Sequence, residues 1–78
     1  MDVIYRPAAD KAISRMPPRD RDALKDKLIR FAETRTGDVI KMAGSDQWRL
    51  RHGDWRAILT IENNVIVVRV AHRREVYR

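Results

Sequence analysis

Arginine is concentrated in the last thirty residues of the chain, beside side chains that can stack on a base or move a proton. This segment holds seven arginines and three acidic residues, so it carries +4 of the chain's formal charge of +6. The arginines are Arg49, Arg51, Arg56, Arg69, Arg73, Arg74 and Arg78. No lysine follows Lys41, and a guanidinium matches phosphate geometry better than an ammonium does. The segment therefore predicts a phosphate-rich partner, and RNA is the leading candidate.

Cleavage of RNA without a metal ion needs chemistry that these residue types can supply. The 2′-hydroxyl loses a proton, the attack occurs in line, the crowded phosphate is stabilised and the leaving 5′-oxygen gains a proton. Arginine suits the stabilising role. Histidine and tyrosine can transfer protons, and neighbouring arginines favour the phenolate form of a tyrosine. His72 and Tyr77, each beside an arginine, are therefore candidate proton carriers.

Length and composition limit the class of protein. We expect residues 1–78 to form one domain, and the absence of cysteine excludes disulfides and thiolate zinc sites. The two histidines lack ligand spacing, so we expect no metal and no other cofactor. We find no apolar signal region, and no apolar run reaches the about 20 residues that span a bilayer. We therefore expect a soluble cytoplasmic protein that enters no membrane. Its pI near 10.5 suggests a polyanionic partner rather than a merely solubilising basic surface.

The first half of the chain predicts a strand and two helices. Residues 2–6 favour a short strand, which Pro7 ends. The following apolar positions are Ala9, Ala12, Ile13 and Met16. Their spacing is that of one helical face, and the Pro17-Pro18 pair separates this helix from the next. The second helix has an apolar stripe at Leu24, Leu28 and Phe31. We expect it to end near Gly37, because glycine favours helix termination.

The second half predicts three strands. Residues 38–46 are interpreted as a connection, and residues 47–52 as a strand in which polar and apolar side chains alternate. Gly53-Asp54 predicts a turn into a strand over residues 55–62, and Asn63-Asn64 predicts a tight hairpin. Residues 65–71 are nearly all apolar, which is typical of a central strand covered on both faces.

The order β-α-α-β-β-β predicts an α+β fold, with a two-helix hairpin on one face of a small antiparallel sheet. In such a sheet Arg49, Arg51 and Arg56 project into one basic patch, while Trp48 and Leu50 pack toward the helices. The segment after the last strand brings His72, Arg73 and Tyr77 within reach of the rim of this patch. The remaining polar residues receive structural interpretations: His52 as exposed, Asp54 as a turn residue and Glu75 as an ion-pair partner.

Two stretches carry a family resemblance. Residues 48–56 read W-R-L-R-H-G-D-W-R and residues 70–78 read V-A-H-R-R-E-V-Y-R. They resemble the R-L-R-x-G-D-Y-R hairpin and the V-G-H-R-x-x-V-Y ending of the RelE/ParE superfamily of bacterial toxins from type II toxin–antitoxin modules, nearer its RelE branch. Trp55 stands in the usual place of tyrosine, and Ala71 in that of glycine. Residues 3–12 and 16–19 resemble the family's first strand and its inter-helix break.

The resemblance implies a metal-independent, ribosome-dependent mRNA endonuclease. Carried over by position, Arg56 holds the phosphate, Arg73 stabilises charge or assists the leaving group, and Tyr77 orients the substrate or acts as base. Arg49 and Arg51 fall around strand positions where the family often has lysines. With them, His72 and Arg74 are the candidate RNA-binding residues. Arginine in place of lysine keeps the charge but removes an easily deprotonated amine.

The resemblance also implies the partners. They are a cognate antitoxin protein, which covers or distorts the basic site in a heteromeric complex, and mRNA on the ribosome as the target. Two other functions stay open. A ParE-like toxin inhibits DNA gyrase through a protein contact and cleaves nothing itself. A catalytically decayed module binds only its antitoxin, and the arginine-for-lysine replacements favour this reading.

Overall fold

The computed structural model describes residues 1–76 and confirms the α+β class. The elements are β1 (Val3–Tyr5), α1 (Pro7–Ser14), α2 (Pro18–Thr34), β2 (Val39–Lys41), β3 (Trp48–His52), β4 (Trp55–Glu62) and β5 (Asn64–His72). The two helices follow β1, as the sequence predicts. The described residues contain one strand more than predicted, so the order is β-α-α-β-β-β-β.

All five strands form one sheet in the order β1-β5-β4-β3-β2. Strands β2 to β5 are antiparallel to their sequence neighbours, but β1 lies parallel to β5, with Val3 opposite Val65. The sheet is therefore mixed, whereas a purely antiparallel sheet was expected. The cause is the connection: β1 joins the rest of the sheet only through the helices, and a crossover of that kind permits parallel pairing.

The additional strand, β2, lies inside the predicted connection. Val39 stands opposite Leu50 and Lys41 opposite Trp48, so β2 extends the sheet beyond β3. It has three residues, and Ile40 at its centre is half exposed. A strand this short at the edge of a sheet has too little alternation to reveal itself by periodicity.

The helices begin at prolines and meet the sheet with their predicted apolar faces. Pro7 opens α1 and Pro18 opens α2, since proline fits the first turn of a helix. At the end of α2, Arg35 takes the left-handed conformation, with φ of 58°, and its N–H donates to the carbonyl of Phe31 at 2.9 Å. The last helical residue is Thr34, three residues before Gly37, near which the sequence predicted the end of the helix.

The core lies between the helices and one face of the sheet. The fully buried large side chains are Ile13, Leu24, Leu28, Leu50, Leu59, Val65 and Val67. On β5 the side chains alternate: Val65 and Val67 are buried, whereas Ile66 and Val68 are only half-buried. A register shift at Ile58/Leu59 interrupts the pairing of β4 with β5. The predicted cover on both faces of β5 is therefore incomplete, because the helices pack on one face only.

Tyr5 connects β1 to α2 at the margin of this core. It packs against the core cluster, and the ammonium of Lys25 lies 5.6 Å from the centre of its ring. Burial raises the pKa of the Tyr5 phenol above its ordinary value, and the charge of Asp10 raises it further. The folded state therefore favours the neutral phenol. No helix within residues 1–76 is long and apolar enough to cross a membrane.

The first prediction concerns the core. Leu59→Ala removes a side chain that is fully buried between sheet and helices, and we expect it to lower the free energy of unfolding by about 2–5 kcal/mol. Ile40→Ala, at a half-exposed edge position, should change it by less than about 0.5 kcal/mol. Urea unfolding followed by circular dichroism compares the two. Equal losses would contradict the assignment of the core to the helix-covered face.

The second prediction concerns alkaline pH. Because the pKa of Tyr5 is raised in the folded state, the phenol's contribution to stability is complete below the unfolded pKa of about 10 and is lost as pH rises through the folded pKa. Phenolate absorbance, measured in Tyr77→Phe so that only Tyr5 reports, should titrate at higher pH in the folded protein than in urea. Titration at the same pH in both states would refute the burial of this phenol.

Candidate functional site

The face of the sheet turned away from the helices, which we call the open face, carries four arginines. Residues directly opposite on paired strands point to the same side. Arg51 of β3 lies opposite Arg56 of β4, and Arg56 lies opposite Ala71 of β5. In the neighbouring row, Ile58 stands between Arg49 and Arg69. Buried residues such as Leu50 occupy the other side, so strand alternation gathers the arginines on the open face.

Neighbouring groups hold the side chains of Arg51 and Arg56. The Nε of Arg51 lies 2.9 Å from a carboxylate oxygen of Asp38, and the Arg51 N–H donates to the Asp38 carbonyl at 3.0 Å. Arg56 folds back toward the turn between β3 and β4. Its Nη1 donates to the carbonyls of Gly53 at 2.6 Å and Trp55 at 2.9 Å. Both guanidiniums keep further N–H groups that these contacts do not use.

The turn at Gly53-Asp54 gathers groups from two strands. Gly53 has a positive φ of 54°, which glycine adopts without strain. Arg73, directly after β5, donates its backbone N–H to the Asp54 carbonyl at 2.6 Å, and its Nε lies 3.5 Å from the Asp54 carboxylate. The guanidiniums of Arg56 and Arg73 therefore contact consecutive residues of one turn. They lie at the same end of the sheet.

His72 reaches this turn from the helix-covered side. It stands opposite Trp55, and the two rings meet edge to face with their centres 5.7 Å apart. Its Nε2 is 3.9 Å from the Asp54 carboxylate, and its Nδ1 accepts from the N–H of Arg74 at 3.4 Å. An Nδ1 that accepts leaves the proton of a neutral imidazole on Nε2. His72 and Arg56 therefore lie on opposite faces of the sheet, but His72 and Arg73 both contact Asp54.

The remaining predicted residues are distributed as follows. Arg49 lies half-buried on the open face, two residues before Arg51 on β3. Arg74 is exposed on the C-terminal turn, which we define as residues 73–76. Tyr77, the predicted base or orienting group, lies outside the described residues.

Several polar residues make contacts that the sequence did not predict. His52, expected to be exposed, is half-buried, and its Nε2 lies 3.3 Å from the carboxylate of Asp20 in the first turn of α2. Asp54 is more than a turn residue, because it contacts both Arg73 and His72. Asp38 holds Arg51. Each contact joins segments that are far apart in the chain, so local sequence patterns do not predict it. The one local signal was the position of Asp54 beside a turn glycine.

One groove lies away from these residues. It has a volume of about 460 Å³ and runs between β1 and α2, with Tyr5, Lys25 and Ile29 among the residues that line it. None of the predicted site residues within residues 1–76 borders it. Within residues 1–76, no group of three His, Asp or Glu side chains is arranged to hold a metal ion. The candidate site is therefore a charged surface at the end of the sheet.

Comparisons with known proteins agree on the fold. The complex of antitoxin RelB with toxin RelE from Methanococcus jannaschii contains a chain 20% identical in sequence, with a TM-score of 0.80 over 95% of this chain and 94% of that chain. The isolated RelE toxin of E. coli is 21% identical, with a TM-score of 0.77 over 97% and 89% of the two chains. The intact E. coli RelBE complex gives 24% identity and a TM-score of 0.73 over 91% and 94%. A search among curated protein sequences finds no match.

A family model also matches the sequence. It is described as the ParE toxin of the type II toxin–antitoxin system, parDE, and it covers residues 3–77. That range takes in residues 48–56 and residues 70–77, which carry the resemblance, as well as all seven elements of the fold. The protein therefore belongs to this family of type II toxins, within the RelE/ParE superfamily.

Proposed function

We propose that this toxin is a metal-independent endonuclease that cleaves mRNA on the ribosome and thereby inhibits translation. The observation that carries the proposal is the meeting of Arg56 and Arg73 at one turn, where their guanidiniums contact Gly53 and Asp54. Two guanidiniums at one end of the sheet suit a single phosphodiester, whose charge grows as the attacking oxygen adds.

The roles follow from the chemistry of each group. Arg56 holds the scissile phosphate, and Arg73 stabilises the developing charge or assists the leaving 5′-oxygen. Because a free arginine is almost never deprotonated, charge stabilisation suits Arg73 better than proton donation. Tyr77 orients the 2′-hydroxyl or removes its proton.

The flanking cations suit the rest of the RNA strand. Arg49 and Arg51 share the open face with Arg56, and we propose that they bind neighbouring phosphates together with Arg74. His72 approaches from the other side of the Gly53-Asp54 turn, where its imidazole lies beside Trp55. The edge of an RNA base can pack against the imidazole there, so we propose that His72 contacts the substrate beside the phosphate.

We further propose a cognate antitoxin as protein partner. The related solved structures from M. jannaschii and E. coli are described as complexes of the toxin RelE with the antitoxin RelB. The open face of this chain carries four arginines, so an antitoxin segment with acidic residues would complement it and compete with RNA.

A second candidate function is inhibition of DNA gyrase through a protein contact. The observation that favours it is the family model, which describes a ParE toxin, whereas the structural neighbours are RelE toxins. We favour RNA cleavage, because a protein contact does not require guanidiniums from two strands at one turn. A module that binds its antitoxin but has lost toxicity is the third reading.

Pulse labelling separates these functions. Brief expression of the toxin should stop incorporation of labelled methionine before incorporation of labelled thymidine falls, because translation is the proposed target. Primer extension should then find mRNA ends at positions that depend on ribosome occupancy. Early arrest of thymidine incorporation with a DNA damage response would support gyrase as the target instead. Unchanged growth alongside intact antitoxin binding would support the decayed module.

The third prediction concerns the two central arginines. Arg56→Ala and Arg73→Ala should each slow mRNA cleavage by about 10²-fold or more, since each removes a preorganised cation from the charged transition state. The matched control is Arg19→Ala, which deletes an exposed arginine on α2 and should leave cleavage unchanged. Circular dichroism and antitoxin binding confirm that the variants fold. If both site variants cleave at the wild-type rate, the assignment of the site is wrong.

A further inference from the structure

Arg69 is the one open-face arginine of β5, and the sequence analysis assigned it no role. It stands opposite Ile58, which in turn stands opposite Arg49. Its position on this face suggests a fourth phosphate ligand. Its hydrogen bond indicates a different role, because Nη2 donates to the backbone carbonyl of Glu75 at 2.7 Å. Charged donors make stronger hydrogen bonds than neutral ones, so this bond is suited to hold the segment that contains Glu75.

That segment is the C-terminal turn, residues 73–76. The N–H groups of Glu75 and Val76 both donate to the carbonyl of His72, at 2.8 and 3.1 Å. Arg73 is tied to Asp54 at the start of the turn. At its end Val76 is 4% exposed, although it lies outside the helix-side core cluster. A short turn that follows the last strand opens locally unless contacts with the rest of the fold hold it, and Arg69 supplies the side-chain bond from the sheet.

We propose that Arg69 is a positioning residue that docks the C-terminal turn onto the open face. This inference rests on the proposed function. Arg69 spans from the body of β5 to Glu75, so it fixes the far side of the turn while Asp54 fixes the near side. Held at both ends, the turn keeps Arg73 beside the Gly53-Asp54 turn that Arg56 contacts.

A phosphate ligand and a positioning residue differ in what their loss disturbs. A ligand contributes to RNA binding and to its salt dependence, but leaves the RNA-free protein unchanged. A positioning residue is needed before RNA arrives, because it orders the turn. Its loss should lower kcat more than it raises KM, since interactions made in the transition state depend on the placement of Arg73.

The test compares Arg69→Met with Arg69→Lys and Arg19→Met in the full-length protein. Met keeps an apolar stem but removes every donor, Lys restores a charged donor, and Arg19→Met deletes the same charge from an exposed site on α2. Amide hydrogen exchange of Glu75 and Val76 is followed by NMR without RNA. We expect exchange about tenfold faster or more in Arg69→Met, partial recovery in Arg69→Lys and no change in Arg19→Met.

Cleavage kinetics complete the test. We expect kcat to fall at least about tenfold in Arg69→Met, with KM changed less than about threefold, and to recover partly in Arg69→Lys. Wild-type amide protection in Arg69→Met would overturn the proposal, as would a loosened turn with unchanged kcat. A raised KM with unchanged amide exchange would assign Arg69 to RNA binding. If the wild-type protein cleaves no RNA, the proposed function fails, whereas the exchange data still decide whether Arg69 docks the turn.

Discussion

The pairing register of β3, β4 and β5 is the constraint on which the site depends. In one row of this register, Arg51 lies opposite Arg56, and Arg56 lies opposite Ala71. In the adjacent row, Leu50 lies opposite Ala57, and Ala57 lies opposite Val70. The first row faces away from the helices, and the second is buried beneath them. A slip by one residue would turn Leu50 toward solvent and place arginine in the core. Burial of apolar side chains thus fixes where the guanidiniums stand, and a change of register would displace the core and the candidate site together.

The end of the sheet adds contacts that the strands alone do not provide. Gly53 allows a tight turn, and the adjacent Asp54 contacts Arg73 through its backbone and its carboxylate. Both side chains of the Arg73–Asp54 ion pair are more than half exposed, and exposed pairs stabilise a protein by about 1 kcal/mol or less. The main effect of this ion pair is therefore to position Arg73 rather than to stabilise the fold. A cation that is lightly held by a carboxylate can be transferred to a phosphate at small cost, which suits a surface that binds RNA reversibly.

Local sequence patterns were sufficient for the elements that repeat over many residues. The helices, the alternation in β3 and the turn at Gly53 were predicted because each depends on neighbours in the chain. Three features of the fold were not predicted. β2 is too short to show a period, the parallel pairing of β1 depends on where β5 lies, and the contact of His52 with Asp20 joins residues 32 positions apart. The same limit applied to the site: the common face of Arg49, Arg51 and Arg56 was predicted, whereas the pairing of Arg51 with Asp38 and the bond from Arg69 to the Glu75 carbonyl were not.

The central claim is that Arg56 and Arg73 act on the same phosphodiester, and a double-mutant cycle of cleavage rates tests it most directly. The rate constant for single-turnover cleavage of ribosome-bound mRNA is measured for the wild type, for each alanine variant and for the double variant. Groups that act as a unit are strongly non-additive. We therefore expect the double variant to be far less impaired than the product of the two single effects. Effects that multiply in full would show two independent contributions and would contradict the account.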